Sequence, residues 1–337
     1  MEYSRRDYLL KLIVEYFVKK AVPVGSQTLI DEYHLPFSSA TIRAEMNALE
    51  NLGLLEKPHT SAGRVPSSAG YRYYIDHLRD HRVEPAVKMQ LQTILADKHQ
   101  SMERVINQSV AILAHMTNLA SVVLGPSAAY ERLASIQVIP LRDDLATAIF
   151  VTDLGYVENK TFMVPANTSI KEVKDCVVIL NKRLVGTPIN QVVEKMAALK
   201  PLLSDYVIEH QVIYQAFAEA FLRFAEERLE LYGKSDLLEQ PEYRDDASKI
   251  KKLLALLDDP EELTRLARGK EELTIKIGDA ENDKDLSVIT ATINLGEQKR
   301  GQIAVFGPTR MDYGKVLATV EYVVQELEDY FATNNEE

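Results

Sequence analysis

The chain has 337 residues, 46% hydrophobic and 26% charged, with 14 glycines, 13 prolines and one cysteine, Cys176. This length fits two or three domains at roughly 150 residues each. The composition excludes disorder and low complexity, one cysteine excludes an internal disulfide framework, and no apolar run approaches the ~18 residues of a membrane span. Met1 to Asp7, followed by Lys11 and Glu15, does not read as a signal peptide, so a cytoplasmic protein with no membrane partner is expected.

A net charge of −11 counts against nucleic acid, because phosphates repel an acidic protein. The excess is unevenly placed. Residues 1–80 hold 10 Lys+Arg and 10 Asp+Glu, whereas residues 81–337 hold 29 against 40. That asymmetry permits a DNA-binding head on an acidic body.

Arg5 to Lys19 has the period of an amphipathic helix, with Leu9, Ile13 and Phe17 on its apolar side. Pro23 and Gly25 stop it. Ser26 to Tyr33 is a second short helix, and His34 to Phe37 a tight turn, since Pro36 disfavours helix at Leu35. Ser38 suits the N-cap of a third helix that runs to about Leu52 and ends at Gly53. Ile42, Met46, Leu49 and Leu52 form its expected buried stripe. This order is that of a helix-turn-helix.

The remaining side chains of the third helix include Ser38, Ser39, Thr41, Arg43 and Asn47. Arg can grip guanine bidentately, Asn adenine, and Ser or Thr a phosphate or a base edge. A solvated helix face is the plainer account of such a composition. The next segment favours the DNA reading. Leu54 to Glu56 and Arg64 to Pro66 read as two short strands around a polar turn, which is the wing of a winged helix. Lys57, His59, Thr60, Ser61 and Arg64 decorate it and suit phosphates or the minor groove. Ser67 or Ser68 then caps a helix with Tyr71, Tyr74, Ile75 and Leu78 on its apolar side.

Pro85 opens a boundary, and Ala86 to about Leu119 reads as one long helical segment ended by Gly125-Pro126. Leu133 to Leu141, Leu145 to Thr152 and Tyr156 to Val164 read as an antiparallel meander. Val173 to Leu184, Ile189 to Leu199 and Asp205 to Tyr232 carry helical periodicity. Asp259-Pro260-Glu261-Glu262 is a strong helix start. Strands return at Leu273 to Ile277, Leu286 to Leu295 and Gln302 to Phe306, and Gly314 to Phe331 is a final helix. The pattern suggests an α+β domain interrupted by an insertion.

Several strings in this chain resemble the bacterial heat-inducible transcription repressor family HrcA. They are Pro23-Val24-Gly25-Ser26, Ser38 to Arg43 with Glu45-Met46, Leu52 to Pro66, Gly70-Tyr71-Arg72-Tyr73-Tyr74, Val122 to Pro126, Gly233 to Pro241, and Gly307 to Tyr313. Lys57 to Arg64 is the most specific. The resemblance implies an α+β multidomain protein made of an N-terminal winged helix-turn-helix (1–80), a linker with a long helix (81–120), a GAF-like α+β domain (121–165 and 271–337), and an inserted, mainly helical dimerisation domain (166–270). It further implies a homodimer that represses chaperone operons at an inverted-repeat DNA element called CIRCE, with the GroEL chaperonin needed for its active fold. The alternative is a regulator whose GAF-like domain senses a metabolite.

No enzyme, cofactor or metal is expected. Walker A, G-x-G-x-x-G, H-E-x-x-H and nucleophile-elbow strings are absent. His77 and His81 have metal spacing but no third ligand nearby in sequence, so a solvated helix is the better reading. Cys176, beside Val177 and Val178, reads as a buried small hydrophobe. Asp279-x-Glu281-x-Asp283 is half a calcium loop that lacks its Gly (Lys284) and its final Glu (Thr290), so a hairpin loop is expected. Gly307 to Tyr313 could line a ligand pocket, but a structural turn is the simpler reading.

Overall fold

A computed structural model describes residues 3–59, 63–97, 100–125, 131–204, 214–219, 221, 229–269, 271–278, 284–295 and 300–334. Helix α1 (Arg5–Lys20) begins where the Ser4 side chain accepts the Asp7 amide, and it buries Leu9, Leu10 and Ile13. Helix α2 (Ser26–Tyr33) ends at His34 in the left-handed region, φ 49°. Helix α3 (Ser39–Asn51) starts at Ser38, whose side chain accepts the Thr41 amide. Its Ile42, Met46 and Leu49 are buried. Leu52, expected in the same stripe, is 59% exposed. It is the C-cap residue, and Gly53 (φ 74°) then turns the chain so that Leu55 fills the inward place.

Strands β1 (Leu55–Glu56) and β2 (Val65–Pro66) form an antiparallel ribbon with Leu55 opposite Pro66. Val24, between α1 and α2, extends it through two 2.8 Å backbone hydrogen bonds with Arg64. Helix α4 (Ser68–His77) is capped by Ser67. It ends at His77, so His81 does not share a helix face with it.

The body begins with α5 (Pro85–Leu95) and α6 (Met102–Thr117), which pack on each other. The expected single long helix is therefore two, and Ser101 caps the second by accepting the Arg104 amide. Strand β3 (Ala120–Leu124) follows, then β4 (Leu133–Arg142), β5 (Leu145–Thr152) and β6 (Val157–Met163). Next come α7 (Ile170–Leu184), α8 (Ile189–Ser204), β7 (Leu229–Tyr232), α9 (Lys234–Leu238), α10 (Pro241–Arg244), α11 (Ala247–Leu257), α12 (Pro260–Ala267), β8 (Leu273–Lys276), β9 (Leu286–Asn294), β10 (Arg300–Pro308) and α13 (Tyr313–Asn334). Asp259 caps α12 by accepting two amides.

Strands β7-β3-β10-β9-β8, in that order, form one antiparallel sheet, and β4-β5-β6 a separate one. Two of these strands differ from the sequence reading. Ala120 to Leu124 is fully buried, so it has no alternation to betray a strand. Leu229 to Tyr232 carries helix-compatible residues, but the free edge of β3 takes it as a strand.

Two hydrophobic cores divide the chain. One joins α1–α6, the five-stranded sheet, α9–α12 and α13. The other joins the meander to α7, α8 and the helical residues around Phe217 and Phe221. The division drawn from sequence at 166 and 270 does not follow these cores. It grouped the meander with β8–β10, whereas the meander strands pair as strands only with one another and pack on α7, whose Asn181 hydrogen-bonds the Ile136 backbone. It also left α9–α12 in the insert, whereas Leu237, Tyr243, Leu253, Leu263 and Leu266 are buried in the core of the five-stranded sheet. Strand alternation identifies a half-buried sheet but not the layer that covers it.

Candidate nucleic-acid interface

The outward face of α3 carries Ala40, Arg43, Ala44 and Asn47, all exposed. Ser38 and Thr41 sit at its N-terminus, with their hydroxyls 2.9 Å apart. Ser39 turns away instead, its Oγ lying 2.8 Å from Ser26 Oγ on α2. That contact fixes the α2–α3 angle and makes Ser39 a structural member of the set. The ribbon stands beside α3 and presents Lys57, Pro58 and His59 to solvent. Thr60 and Ser61 lie outside the described residues.

One carboxylate welds the ribbon to α3. Arg64 Nε donates to Glu50 Oε2 at 2.8 Å, and Lys57 Nζ lies 3.3 Å from Glu50 Oε1. Arg64 Nη2 also donates to Asn47 Oδ1 at 2.8 Å. Burial raises the Glu50 carboxyl, but the hydrogen bonds and charges of Lys57 and Arg64 outweigh it and hold the group below the usual carboxylate range. The Arg64 side chain is only 12% exposed. It therefore braces the ribbon and orients Asn47, and does not stand free for a phosphate. Glu45 plays a matching part toward α1, accepting from Arg6 at 3.1 Å with Arg5 3.8 Å away. Glu45 and Glu50 were not singled out in the sequence. Glu50 could have been, since it stands three residues after Asn47 on one helix face.

Arg43 is different. It is exposed and makes no hydrogen bond or ion pair among the described residues. Its guanidinium, with Asn47 one turn on, is the part of this face equipped for a base edge.

Elsewhere the chemistry is muted. Cys176 is buried, and burial, with Asp175 and Glu172 adding, pushes its thiol up to about 11, so it stays protonated and unreactive. Asp279 to Asp283 lies outside the described residues. Gly307 to Tyr313 forms the end of β10 and the turn into α13; Arg310 and Tyr313 touch the head, whereas Thr309 donates to the Lys284 carbonyl within the body. Among the described residues no group of three metal-binding side chains is found, and no helix is long and apolar enough to cross a membrane.

Residues 103–317, more than half of the chain, match the family model described as the HrcA protein C terminal domain. The chain belongs to the HrcA family. Its HrcA relatives extend the match into the head. The protein named heat-inducible transcription repressor HrcA of Halalkalibacterium halodurans is 39% identical over 330 residues, 96% of each chain. The proteins of the same name from Bacillus pumilus and Listeria monocytogenes serotype 4a are 38% and 33% identical, over 96% and 97% of this chain and 96% of theirs. A crystal structure described as that of a hypothetical protein at 2.2 Å resolution has a TM-score of 0.72 at 24% identity and covers 99% of this chain and 100% of that one. At that identity the likeness is one of fold. The HrcA relatives thus match nearly the whole chain in sequence.

Proposed function

We propose that this chain is a heat-inducible transcription repressor, binding double-stranded DNA as a homodimer through an N-terminal winged helix-turn-helix. Arg43, free and exposed on α3 beside the ribbon, is the observation that carries this reading. In it α3 enters the major groove, Arg43 and Asn47 meet base edges, and Ser38 and Thr41 meet phosphate. Lys57 and His59, with Thr60 and Ser61, contact the backbone. Phosphate competes with Glu50 for Lys57, which weakens attachment to arbitrary sequences.

A neutral head gives modest affinity, so two heads on one inverted repeat are needed, and the element implied by the family is CIRCE. The meander offers a surface for the second copy. Its outer face consists of Ser135, Gln137 and Ile139 on β4, Thr147, Ile149 and Val151 on β5, and Val157, Asn159, Thr161 and Met163 on β6. None of these is charged, Arg142, opposite Leu145, stands at the end of the same face, and Glu158 and Lys160 lie on the opposite one. A sheet face whose centre is free of charge suits a permanent interface. The inserted dimerisation domain then spans roughly the second core, 131–221, and the five-stranded sheet with its helices is the GAF-like domain. Dependence on GroEL rests on the family alone. The metabolite-sensing alternative has clefts to draw on, such as one of about 370 Å³ lined by Arg268, Glu272, Thr292, Arg300 and Gln302, and a thermal shift on adding a metabolite would favour it.

Arg43→Ala and Lys57→Ala separate the two kinds of contact. Arg43→Ala is expected to cost about 1–3 kcal/mol and to relax preference at one base position. Lys57→Ala is expected to weaken binding to all sequences and lower the salt slope by about 1. Operator binding unchanged in Arg43→Ala would remove α3 from the role of reader.

A further inference from the structure

The covalent tether between head and body is weak. Residues 79–84, between α4 and α5, have no regular structure. The angle of the head is therefore set by noncovalent contacts, and the hydrogen bonds between head and body come from α1, α4 and Arg79 just after it. Arg310, in the turn between β10 and α13, makes the most far-reaching of them. Its Nη1 donates to the Val18 carbonyl at 2.7 Å, and its Nε and Nη2 grip the Glu242 carboxylate of α10, the latter at 3.1 Å. Val18 is in the last turn of α1, where carbonyls lack partners within the helix and the dipole favours a cation. A body side chain thus caps a head helix. Arg310 and Glu242 are 14% and 19% exposed, so little solvent is at hand to replace either partner. Beside them Tyr71 of α4 packs on Tyr313 with ring centroids 5.3 Å apart. Two lesser clamps stand at α4 and just after it: Arg72 of α4 donates to the Ile275 carbonyl of β8 at 2.5 Å, and Arg79, at the start of the tether, pairs with Glu321 of α13 through two hydrogen bonds.

We propose that Arg310 is a positioning residue that fixes the angle of the head on the body, and with it the half-site spacing a dimer accepts. The inference rests on the reading of the chain as a dimeric DNA-binding protein. Two heads engage one duplex only when their separation matches the helical phase of the half-sites. A rigid seam gives a narrow spacing optimum, and a loosened seam lets each head adapt.

The test measures affinity of the full-length protein for inverted-repeat duplexes whose spacer is lengthened or shortened by one to five base pairs, together with a single half-site duplex. In Arg310→Ala, affinity at the optimal spacing is expected to fall roughly tenfold and the preference among spacers to flatten to about threefold. Half-site affinity stays at the wild-type level, and Arg310→Lys restores part of the preference. An unchanged spacer profile, or a half-site loss equal to the loss on the repeat, overturns the proposal. Should Arg310→Ala not fold, Glu242→Gln replaces it with the same expected and overturning outcomes. A DNA-free arm separates this claim from DNA binding itself. Spin labels at Gln27→Cys on the head and Asp329→Cys on α13 report their distance, Cys176 being buried. A broader distribution in Arg310→Ala supports positioning even if no duplex binds, and an unchanged distribution overturns it.

Discussion

Arg64 of the ribbon donates to Asn47 of α3 at 2.8 Å, so a residue that looks like a phosphate contact in the sequence is a strut between the ribbon and α3. Arg64→Ala removes this bond and the 2.8 Å bond to Glu50. A loss of about 1–3 kcal/mol in folding stability is expected from denaturant unfolding. Arg43→Ala, by contrast, is expected to stay within about 0.5 kcal/mol of wild type in the same measurement, since its loss is confined to binding.

Close backbone approach in the head depends on two glycines. A Cβ on Gly70 would lie 2.0 Å from the Leu54 carbonyl oxygen, and one on Gly63 would lie 2.4 Å from that of Val24. Neither neighbour is a side chain that can swing aside. Gly70→Ala is expected to cost at least about 2 kcal/mol by separating α4 from the ribbon. Gly63→Ala is expected to break the Val24–Arg64 bridge and to lower affinity for every DNA sequence alike. Thermal unfolding and anisotropy titration check the two.

These glycines show what the sequence disclosed and what it withheld. Helix starts were legible wherever a side chain does the capping, as at Ser38, Ser67 and Asp259, because a cap is local chemistry. The exposed face of α3 was legible from its period, and Arg43 with it. The double use of Arg64 and the Glu50 weld were not, because they depend on how closely the ribbon approaches α3. Strands β3 and β7 were hidden for a related reason: partners distant in the chain, not local pattern, make them strands. The same applies to the seam, where Arg310 meets Val18 across 292 positions.

Acid pH bears on that seam through Glu15 of α1. Burial raises its carboxyl above the ordinary range, Lys11 opposes this, and Asp312 and Asp80 add to it. A raised folded-state value means that the folded protein holds the proton more tightly than the unfolded chain. Ionised Glu15 is therefore unfavourable at neutral pH, and the penalty fades as pH falls through the raised value. Glu15→Gln is expected to raise the unfolding midpoint at pH 7. The gain is no more than about 1 kcal/mol, because the side chain is 39% exposed. The difference from wild type disappears once the pH is below the ordinary carboxylate range.

A charge at the centre of the meander's outer face tests the dimer. Ile149→Lys places an ammonium between Gln137 and Asn159. Sedimentation equilibrium is expected to show dimer association weakened by at least about tenfold, with folding intact and half-site binding by the monomer unchanged.

The account stands most directly on a gel-shift comparison of the full-length protein on an inverted-repeat duplex and on the same duplex with one half scrambled, each with and without chaperonin. Tight binding to the intact repeat, large loss on the scrambled duplex, and strengthening by chaperonin are the predicted results. Equal affinity for both duplexes would contradict the claim that two α3 helices read one operator.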